Sequence, residues 1–286
     1  MTIPTITRNT PYGPLASETM DVYLPPSTAP TGAIILIHGG DWKFGDKSIF
    51  EAGSNTGFQN NIAAAFANHG VAVFNIDYTL FHGPNKWAQV YASVEAAVSY
   101  IKANAAAYNV NPAAIGAVGD SAGAQLASML GVTGQVAFVG DNSGPVDLIH
   151  AASLNATTRA MVGTTWPALE AASPLDNIGP SSAPFFITQG LQDTTVLPSQ
   201  AVAFNAALTE AGVSSTLVEY AGGHVFRQAP TAWNVLEKEV AWTEGQIARL
   251  TQAAAAFAPA DGVVGRFEAS EAVAGSGGLA LVDVRR

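Results

Sequence analysis

The sequence contains no cysteine, and this absence excludes several kinds of chemistry. Without thiols there is no disulfide, no thiolate nucleophile and no metal centre held by cysteine, and the redox character of the compartment cannot be inferred. The five histidines are scattered, and none shows the H-x-x-x-H spacing that is typical of zinc sites. We therefore expect neither a metal nor a cofactor.

Basic residues and long apolar runs are also scarce. Only 12 Lys and Arg residues stand against 22 Asp and Glu residues, which gives a net charge of −10. Such an excess of negative charge argues against a nucleic-acid partner and against anionic membrane surfaces. No stretch approaches the roughly 18 apolar residues of a membrane span, and the first residues lack the apolar core of a signal peptide. We expect a soluble protein, cytoplasmic by default, with export through the C-terminal tail as the alternative.

Apolar residues make up 48% of the 286 residues, which is enough for a large core. Short, mostly apolar runs alternate with segments of helical spacing, and the run over 33–38 is continuous, as in a strand covered on both faces. The later runs lie at residues 71–76, 115–118, 135–139, 183–189 and 215–220. This rhythm predicts an α/β fold with a mostly parallel sheet of about eight strands, preceded by an edge hairpin over 4–8 and 20–24.

Two segments depart from this rhythm. Residues 145–182 show no clear period and resemble a lid or an insertion, although no large apolar lid is evident. Residues 259–286 are rich in alanine and glycine, and we expect them to form a loose or disordered extension of a main domain over 1–258.

The chain is organised around a turn with the sequence Gly119-Asp120-Ser121-Ala122-Gly123, which follows an apolar run and precedes a run of helix formers. Strand, sharp turn and helix in this order place a serine in a strained backbone conformation with its hydroxyl above the sheet. The flanking glycines are needed because a Cβ at either place would collide with the neighbouring strand or helix. The turn therefore predicts a nucleophilic serine at position 121.

Four expected strand ends carry polar or glycine-rich turns, at 38–40, Ser121, Asp193 and His224. Ligands bind at the carboxyl ends of parallel strands, and Ser, Asp, His is one of three known chain orders for one catalytic geometry. A serine hydroxyl needs a base, and that base needs a carboxylate to fix its tautomer. We expect Ser121 as nucleophile, His224 as base and Asp193 as acid. Ala122 and the glycine turn would supply backbone N–H donors to the oxyanion.

Some assignments leave alternatives open. Asp141 also follows a strand and is the second candidate for the acid, whereas Asp120 is expected to be a supporting carboxylate rather than a catalytic one. The remaining histidines suit the role of the base less well than His224. Trp42 lines an acyl or aryl pocket in one interpretation and packs beneath its loop in the other.

The chain resembles α/β-hydrolases of the esterase and lipase group, which includes hormone-sensitive-lipase-like esterases, BD-FAE-type acetyl and feruloyl esterases and kynurenine formamidases. The similarity spans about residues 10 to 245. The matching segments are His38-Gly39-Gly40-Asp41-Trp42 for H-G-G-x-W, Asn111-Pro112, Gly119-Asp120-Ser121-Ala122-Gly123, Ala172-Ser173-Pro174-Leu175, Asp193 and Gly223-His224.

This resemblance implies that residues 1–258 are an α/β-hydrolase catalytic domain that cleaves short-chain acyl or aryl esters, small molecules, through an acyl-enzyme. It implies an oxyanion hole made by the backbone N–H groups of Gly39, Gly40, Asp41 and Ala122. An arylformamidase that acts on N-formylkynurenine would use the same residues. The third interpretation is a binding protein that has the α/β-hydrolase fold but no catalytic activity. Such proteins typically lose the serine or the histidine.

The chain departs from the family patterns in three places. Asp41 stands where the lipase motif has a third glycine, which favours the H-G-G-x-W branch. Only 37 residues precede His38, fewer than a helical N-terminal cap needs, so the resemblance implies an open site with a small cap or none. Residues 77–79 read Asp-Tyr-Thr where the family has Asn-Tyr-Arg, and the loss of that arginine has no explanation in the sequence.

Overall fold

The computed structural model describes residues 4–51, 61–83, 86–150, 156–226 and 232–256. Its strands are β1 Thr5–Pro11, β2 Thr19–Leu24, β3 Thr31–Ile37, β4 Ala72–Ile76, β5 Val110–Asp120, β6 Val139–Asn142, β7 Phe185–Gly190 and β8 Ser215–Tyr220. Its α-helices are α1 Ile62–Asn68, α2 Trp87–Ala103, α3 Ala122–Val132, α4 Ala156–Val162, α5 Trp166–Ala171, α6 Pro198–Glu210 and α7 Ala232–Ala256. Two short 3₁₀ helices cover Lys47–Phe50 and Pro174–Asn177.

The strands form one open sheet in the order β1-β2-β4-β3-β5-β6-β7-β8. β1 pairs antiparallel with β2, and β2 pairs antiparallel with β4. All the other pairings, from β4 through β3 to β8, are parallel. The prediction of a mostly parallel sheet of about eight strands with a hairpin at its edge is therefore confirmed.

Both faces of the sheet are covered, which explains the continuous apolar runs. Along β3, Ile35 and Ile37 face one buried cluster, to which α2, α3 and α6 contribute. Ile34 and Leu36 face a second cluster, to which α1 and α7 contribute. Because successive strand side chains point to opposite faces, a strand between two helical layers must be apolar at every position.

β6 begins later than its apolar run predicted. The expected strand over 135–139 starts only at Val139 and continues through Asn142, so the expected turn residues Asp141 and Asn142 are strand residues. They pair with Gly119 and Asp120 of β5. Polar residues are tolerated there because each is hydrogen-bonded, and a buried polar group with partners costs little.

β5 begins earlier than predicted. Asn111 and Pro112 precede the apolar run over 115–118 and are residue types that favour turns, but they lie within β5. The Asn111 side chain accepts a hydrogen bond from the amide of Ala113 at 3.0 Å, and the pairing register with β3 shifts at this place. The local hydrogen bond that is typical of a turn thus forms within β5, at the place where its pairing with β3 is irregular.

The segment over 145–182 contains α4, α5 and the second 3₁₀ helix. Leu148, Leu169 and Ala172 form a small buried cluster of their own. The side-chain amide of Gln125 on α3 donates to the carbonyl of Ala172 at 2.7 Å. The segment is therefore tied to the helix that follows Ser121, and its action as a lid stays a prediction.

The predicted extension over 259–286 lies outside the described residues, so the division into 1–258 and an extension stays a prediction. Within the described ranges, no helix is both long and apolar enough to cross a membrane.

Candidate active site

Ser121 lies between β5 and α3 with φ 54° and ψ −119°, a combination that residues with a side chain rarely adopt. Such a conformation persists only where its surroundings hold it. Here the Ser121 amide donates to the carbonyl of Asn142 at 2.9 Å, and the Ser121 carbonyl accepts from the amide of Gln125 at 3.1 Å. The main chain of Ser121 is thus fixed on both sides.

The glycines that flank this turn stand where no side chain fits. A Cβ at Gly119 would lie 2.3 Å from the carbonyl oxygen of Gly123. A Cβ at Gly123 would lie 2.0 Å from the carbonyl oxygen of Ile37 on β3. The expected collisions with helix and strand are confirmed.

We expect the variant Gly123→Ala to lose stability, because its methyl group would press on main-chain atoms of β3, and overpacking of this kind costs about 1–3 kcal/mol. The matched control is Gly245→Ala in α7, where an added Cβ meets nothing within 4 Å. There alanine should raise the free energy of unfolding by about 0.5–1 kcal/mol, since it favours the helix. Urea denaturation of both variants measures the difference, and a Gly123→Ala protein as stable as the wild type would contradict the packing.

The structure brings Ser121, His224 and Asp193 into one hydrogen-bonded chain. His224 Nε2 lies 2.8 Å from Ser121 Oγ, and His224 Nδ1 lies 2.7 Å from Asp193 Oδ2. A carboxylate only accepts, so Nδ1 carries the ring proton and Nε2 is left to accept from the serine hydroxyl. The His224 side chain is 21% exposed and that of Asp193 is 0% exposed.

The loops that carry Asp193 and His224 meet closely. A Cβ at Gly190, the last residue of β7, would lie 2.0 Å from the carbonyl oxygen of Gly223. Only a residue without a side chain allows this approach, which places the loop after β7 against the loop after β8.

Asp193 is held as an anion. Its Oδ1 accepts from the amides of Thr195 at 2.8 Å and Val196 at 3.0 Å, and its Oδ2 accepts from the side chain of Gln189 at 3.1 Å. Burial alone would raise the pKa of Asp193, but the hydrogen bonds from His224 and from these two amides outweigh burial and lower that pKa below its ordinary value.

Asp141, the second candidate for the acid, is occupied elsewhere. It accepts from Ser128 Oγ at 2.5 Å and from the amide of Gly144 at 2.7 Å. Complete burial raises the pKa of Asp141. Of the two candidates, Asp193 is the one that the structure places against His224.

The turn after β3 runs beside Ser121. A Cβ at Gly39 would lie 3.2 Å from Ser121 Cβ, so the main chain of Gly39 packs directly against the serine. Gly40 has φ +117° and Asp41 has φ 56°, and the Gly40 carbonyl accepts from two amides further along the turn. Ala122 is the first residue of α3, where amides have no partner within the helix. The donation of these four residues to an oxyanion stays a prediction.

The side chains of His38 and Tyr78 stabilise the turn after β3. Their rings stack with centroids 4.5 Å apart, and the Tyr78 hydroxyl donates to the His38 carbonyl at 3.0 Å. His38 Nδ1 donates to the carbonyl of Gly39 at 2.7 Å. Burial lowers the pKa of His38, so its ring is neutral.

Trp42 is buried in the core, at 3% exposed. Its indole N–H donates to Gln125 Oε1 at 2.9 Å, and Gln125 in turn donates to Ala172. This burial favours the packing interpretation, and contact of Trp42 with a substrate stays a prediction.

Sequence reasoning missed two residues that support the site, Asn142 and Glu239. Asn142 supplies the carbonyl that holds Ser121, and its side chain donates to Glu239 on α7. One signal was available, because Glu239 interrupts an apolar helical stripe that contains Leu236 and Val240. Among the described residues, no group of three potential ligands could hold a metal ion.

Comparison with known proteins finds relatives over most of the chain. The chain is 26% identical over 257 residues to Esterase LipQ of Mycobacterium tuberculosis, a match that covers 79% of this chain and 58% of LipQ. It is 28% identical over 235 residues to the AB hydrolase superfamily protein C1039.03 of Schizosaccharomyces pombe, covering 70% of this chain and 65% of that protein. The chain thus matches less than two thirds of the length of either relative.

The fold has a close counterpart among solved structures. A truncated form of a carbohydrate esterase from gut microbiota superposes with a TM-score of 0.76 at 23% sequence identity, covering 86% of this chain and 98% of the other. Together with the eight-stranded, mostly parallel sheet and the similarity to an AB hydrolase superfamily protein, this superposition confirms the predicted α/β-hydrolase fold. The sequence profile of the BD-FAE family matches residues 20–208, which is more than half of the chain. The chain belongs to the BD-FAE family.

Proposed function

We propose that this protein is a serine hydrolase that cleaves carboxylic esters through an acyl-enzyme on Ser121. The observation that carries the proposal is the unbroken hydrogen-bonded chain from Ser121 Oγ through His224 to Asp193, with distances of 2.8 and 2.7 Å. The name of one relative, an esterase, agrees with this activity.

In the first half of the reaction, Ser121 Oγ attacks the ester carbonyl carbon while its proton passes to His224 Nε2. The carbonyl π electrons move to the oxygen, which becomes an oxyanion. Asp193 stabilises the imidazolium that forms and keeps the ring oriented. The C–O bond to the alcohol then breaks, and the alcohol leaves with the proton from His224. In the second half, water repeats these steps and releases the acid.

The oxyanion needs fixed N–H donors at the place where its charge develops, because such preorganised dipoles are worth more in a dry site than in water. The amides of Gly39, Gly40, Asp41 and Ala122 are the proposed donors. The packing of Gly39 against Ser121 and the position of Ala122 at the start of α3 support this assignment.

Short acyl or aryl esters are the proposed substrates, since no large apolar lid is evident in the sequence. A panel of p-nitrophenyl esters of rising chain length, assayed beside N-formylkynurenine, tests both the activity and the substrate class. We expect kcat/KM to be highest for the shortest acyl chains and to fall as the chain lengthens. Hydrolysis of N-formylkynurenine with negligible turnover of every ester would identify an arylformamidase instead, and turnover of neither would indicate a binding protein.

A further inference from the structure

A buried polar cluster lies beneath the Ser121 turn, on the face of the sheet that α7 covers. It consists of Asp120 on β5, Asn142 on β6, Thr188 on β7 and Glu239 on α7, and none of them is more than 2% exposed. Burial of a carboxyl group in an apolar interior is costly unless it has polar partners. The cluster therefore requires an explanation that core packing does not supply.

Asn142 connects this cluster to the serine. Its carbonyl accepts from the Ser121 amide at 2.9 Å. Its side chain donates to Glu239 Oε1 at 3.2 Å and accepts from the Thr188 hydroxyl at 2.6 Å. Hydrogen bonds to α7 and to β7 thus fix the side chain of Asn142. Its main-chain carbonyl in turn stabilises the strained conformation of Ser121.

The sheet is shaped to admit the Glu239 carboxyl. A Cβ at Gly140 would lie 2.3 Å from Glu239 Oε1, so that position of β6 leaves room for the carboxyl group only because it lacks a side chain. The neighbours of Glu239 on the same face of α7, Leu236 and Val240, pack in the apolar cluster of that side.

We propose that Glu239 is a positioning residue for the reaction at Ser121, acting through Asn142 to hold the turn that carries the nucleophile. The inference rests on the proposed function, in which Ser121 is that nucleophile. A displaced turn would move Ser121 Oγ relative to His224, and misplacement by about 1 Å can cost a hundredfold in rate.

The charge state of Glu239 gives this role a measurable signature. Burial, followed by the nearby negative charges of Asp120 and Asp141, raises the pKa of Glu239 to about 8. Ile34 of β3 and Phe66 of α1 pack in the apolar cluster on this side of the sheet. His69, at the end of α1, is the titratable group that contacts α7 from that helix, and it lies 3.3 Å from Glu244 rather than at Glu239. Glu239 is therefore neutral at pH 7, and its ionisation above pH 8 would place a negative charge inside the buried cluster.

Stability should follow the same titration. An unfolded chain ionises this glutamate near its ordinary pKa of 4.5, whereas the folded chain keeps the proton up to about 8. Between these values the folded state binds more protons, so the stability contribution of Glu239 falls as the pH rises through this window. A glutamine at position 239 has no proton to lose and removes this dependence.

The test compares Glu239→Gln and Glu239→Leu with the wild type, using Glu237→Gln, an exposed position on the same helix, as the matched control. With a good p-nitrophenyl ester, the kcat of the wild type and of the control should decline above about pH 8, and Glu239→Gln should lack that decline. At neutral pH, Glu239→Leu should lower kcat by about 10- to 100-fold with little change in KM, because Asn142 loses its acceptor.

Melting temperatures provide a second readout that needs no substrate and no Leu variant. As the pH rises from about 5 to 8, the melting temperature should fall further in the wild type and in Glu237→Gln than in Glu239→Gln. An active wild type whose alkaline decline persists in Glu239→Gln, or a normal kcat in a folded Glu239→Leu, overturns this inference alone. A wild type that neither hydrolyses esters nor takes up a fluorophosphonate at Ser121 overturns the proposed function, and this inference with it.

Discussion

The variant Ser121→Ala is expected to lose ester hydrolysis almost completely, by about 10⁶-fold in kcat, the loss known for removal of a nucleophilic serine in a comparable triad. The reason is that alanine removes the only atom that can form the acyl-enzyme, while backbone donors and substrate binding give a small residual rate. Steady-state kinetics on the best ester of the panel measures the loss.

A covalent probe isolates the chemistry at Ser121 from binding. A fluorophosphonate should add one label to the wild type, and mass spectrometry of the digested protein should place it on Ser121. The control is Ser199→Ala, an exposed position on α6, which should label and turn over like the wild type. Hydrolysis or labelling retained by a folded Ser121→Ala protein would refute the role of this serine.

The variant Asp193→Asn is expected to lower kcat/KM by about 10⁴-fold, the loss known for a triad aspartate, which corresponds to about 5 kcal/mol of transition-state stabilisation. An asparagine can donate to the ring and favour the tautomer that carries the proton on Nε2, and His224 then cannot accept from Ser121. The fold should persist, because an asparagine oxygen can still accept from the amides of Thr195 and Val196.

Asp141→Asn is the matched variant. Asp141 bonds to Ser128 and Gly144 rather than to His224. An asparagine can keep both contacts, because its oxygen accepts from the Gly144 amide while its NH2 group donates to the Ser128 hydroxyl. Its kcat/KM should therefore change far less than that of Asp193→Asn. The kcat/KM of both variants is measured on one ester, with circular dichroism to check folding. A large loss in Asp141→Asn beside a nearly normal Asp193→Asn would show that the acid has been misassigned.

Local sequence patterns predicted much of the fold and of the candidate site. The continuous apolar runs predicted the parallel sheet because strands between two helical layers have no polar face. Ser121 was identifiable because its turn requires glycines within two residues on either side, and Asp193 and His224 because each follows an expected strand.

The remainder depends on contacts between distant parts of the chain. The side chains of Asn142 and Glu239 meet although 97 residues separate them, and nothing near Asn142 in the sequence indicates that its carbonyl holds Ser121. The end of β6 was misplaced because its polar residues Asp141 and Asn142 are stabilised by such partners rather than by apolar character. For Trp42, an aromatic residue in a glycine-rich turn suits both a pocket and a core, and the bond to Gln125 that distinguishes them is a tertiary contact.

The parallel arrangement of β3, β5, β7 and β8 has a practical consequence for handling this protein. The turns that carry Gly39, Ser121, Asp193 and His224 all leave the same rim of the sheet, whereas the connection over 211–214 leaves the opposite rim. Attachment to a resin or an electrode through that far connection would therefore leave the rim with these four turns facing the solution.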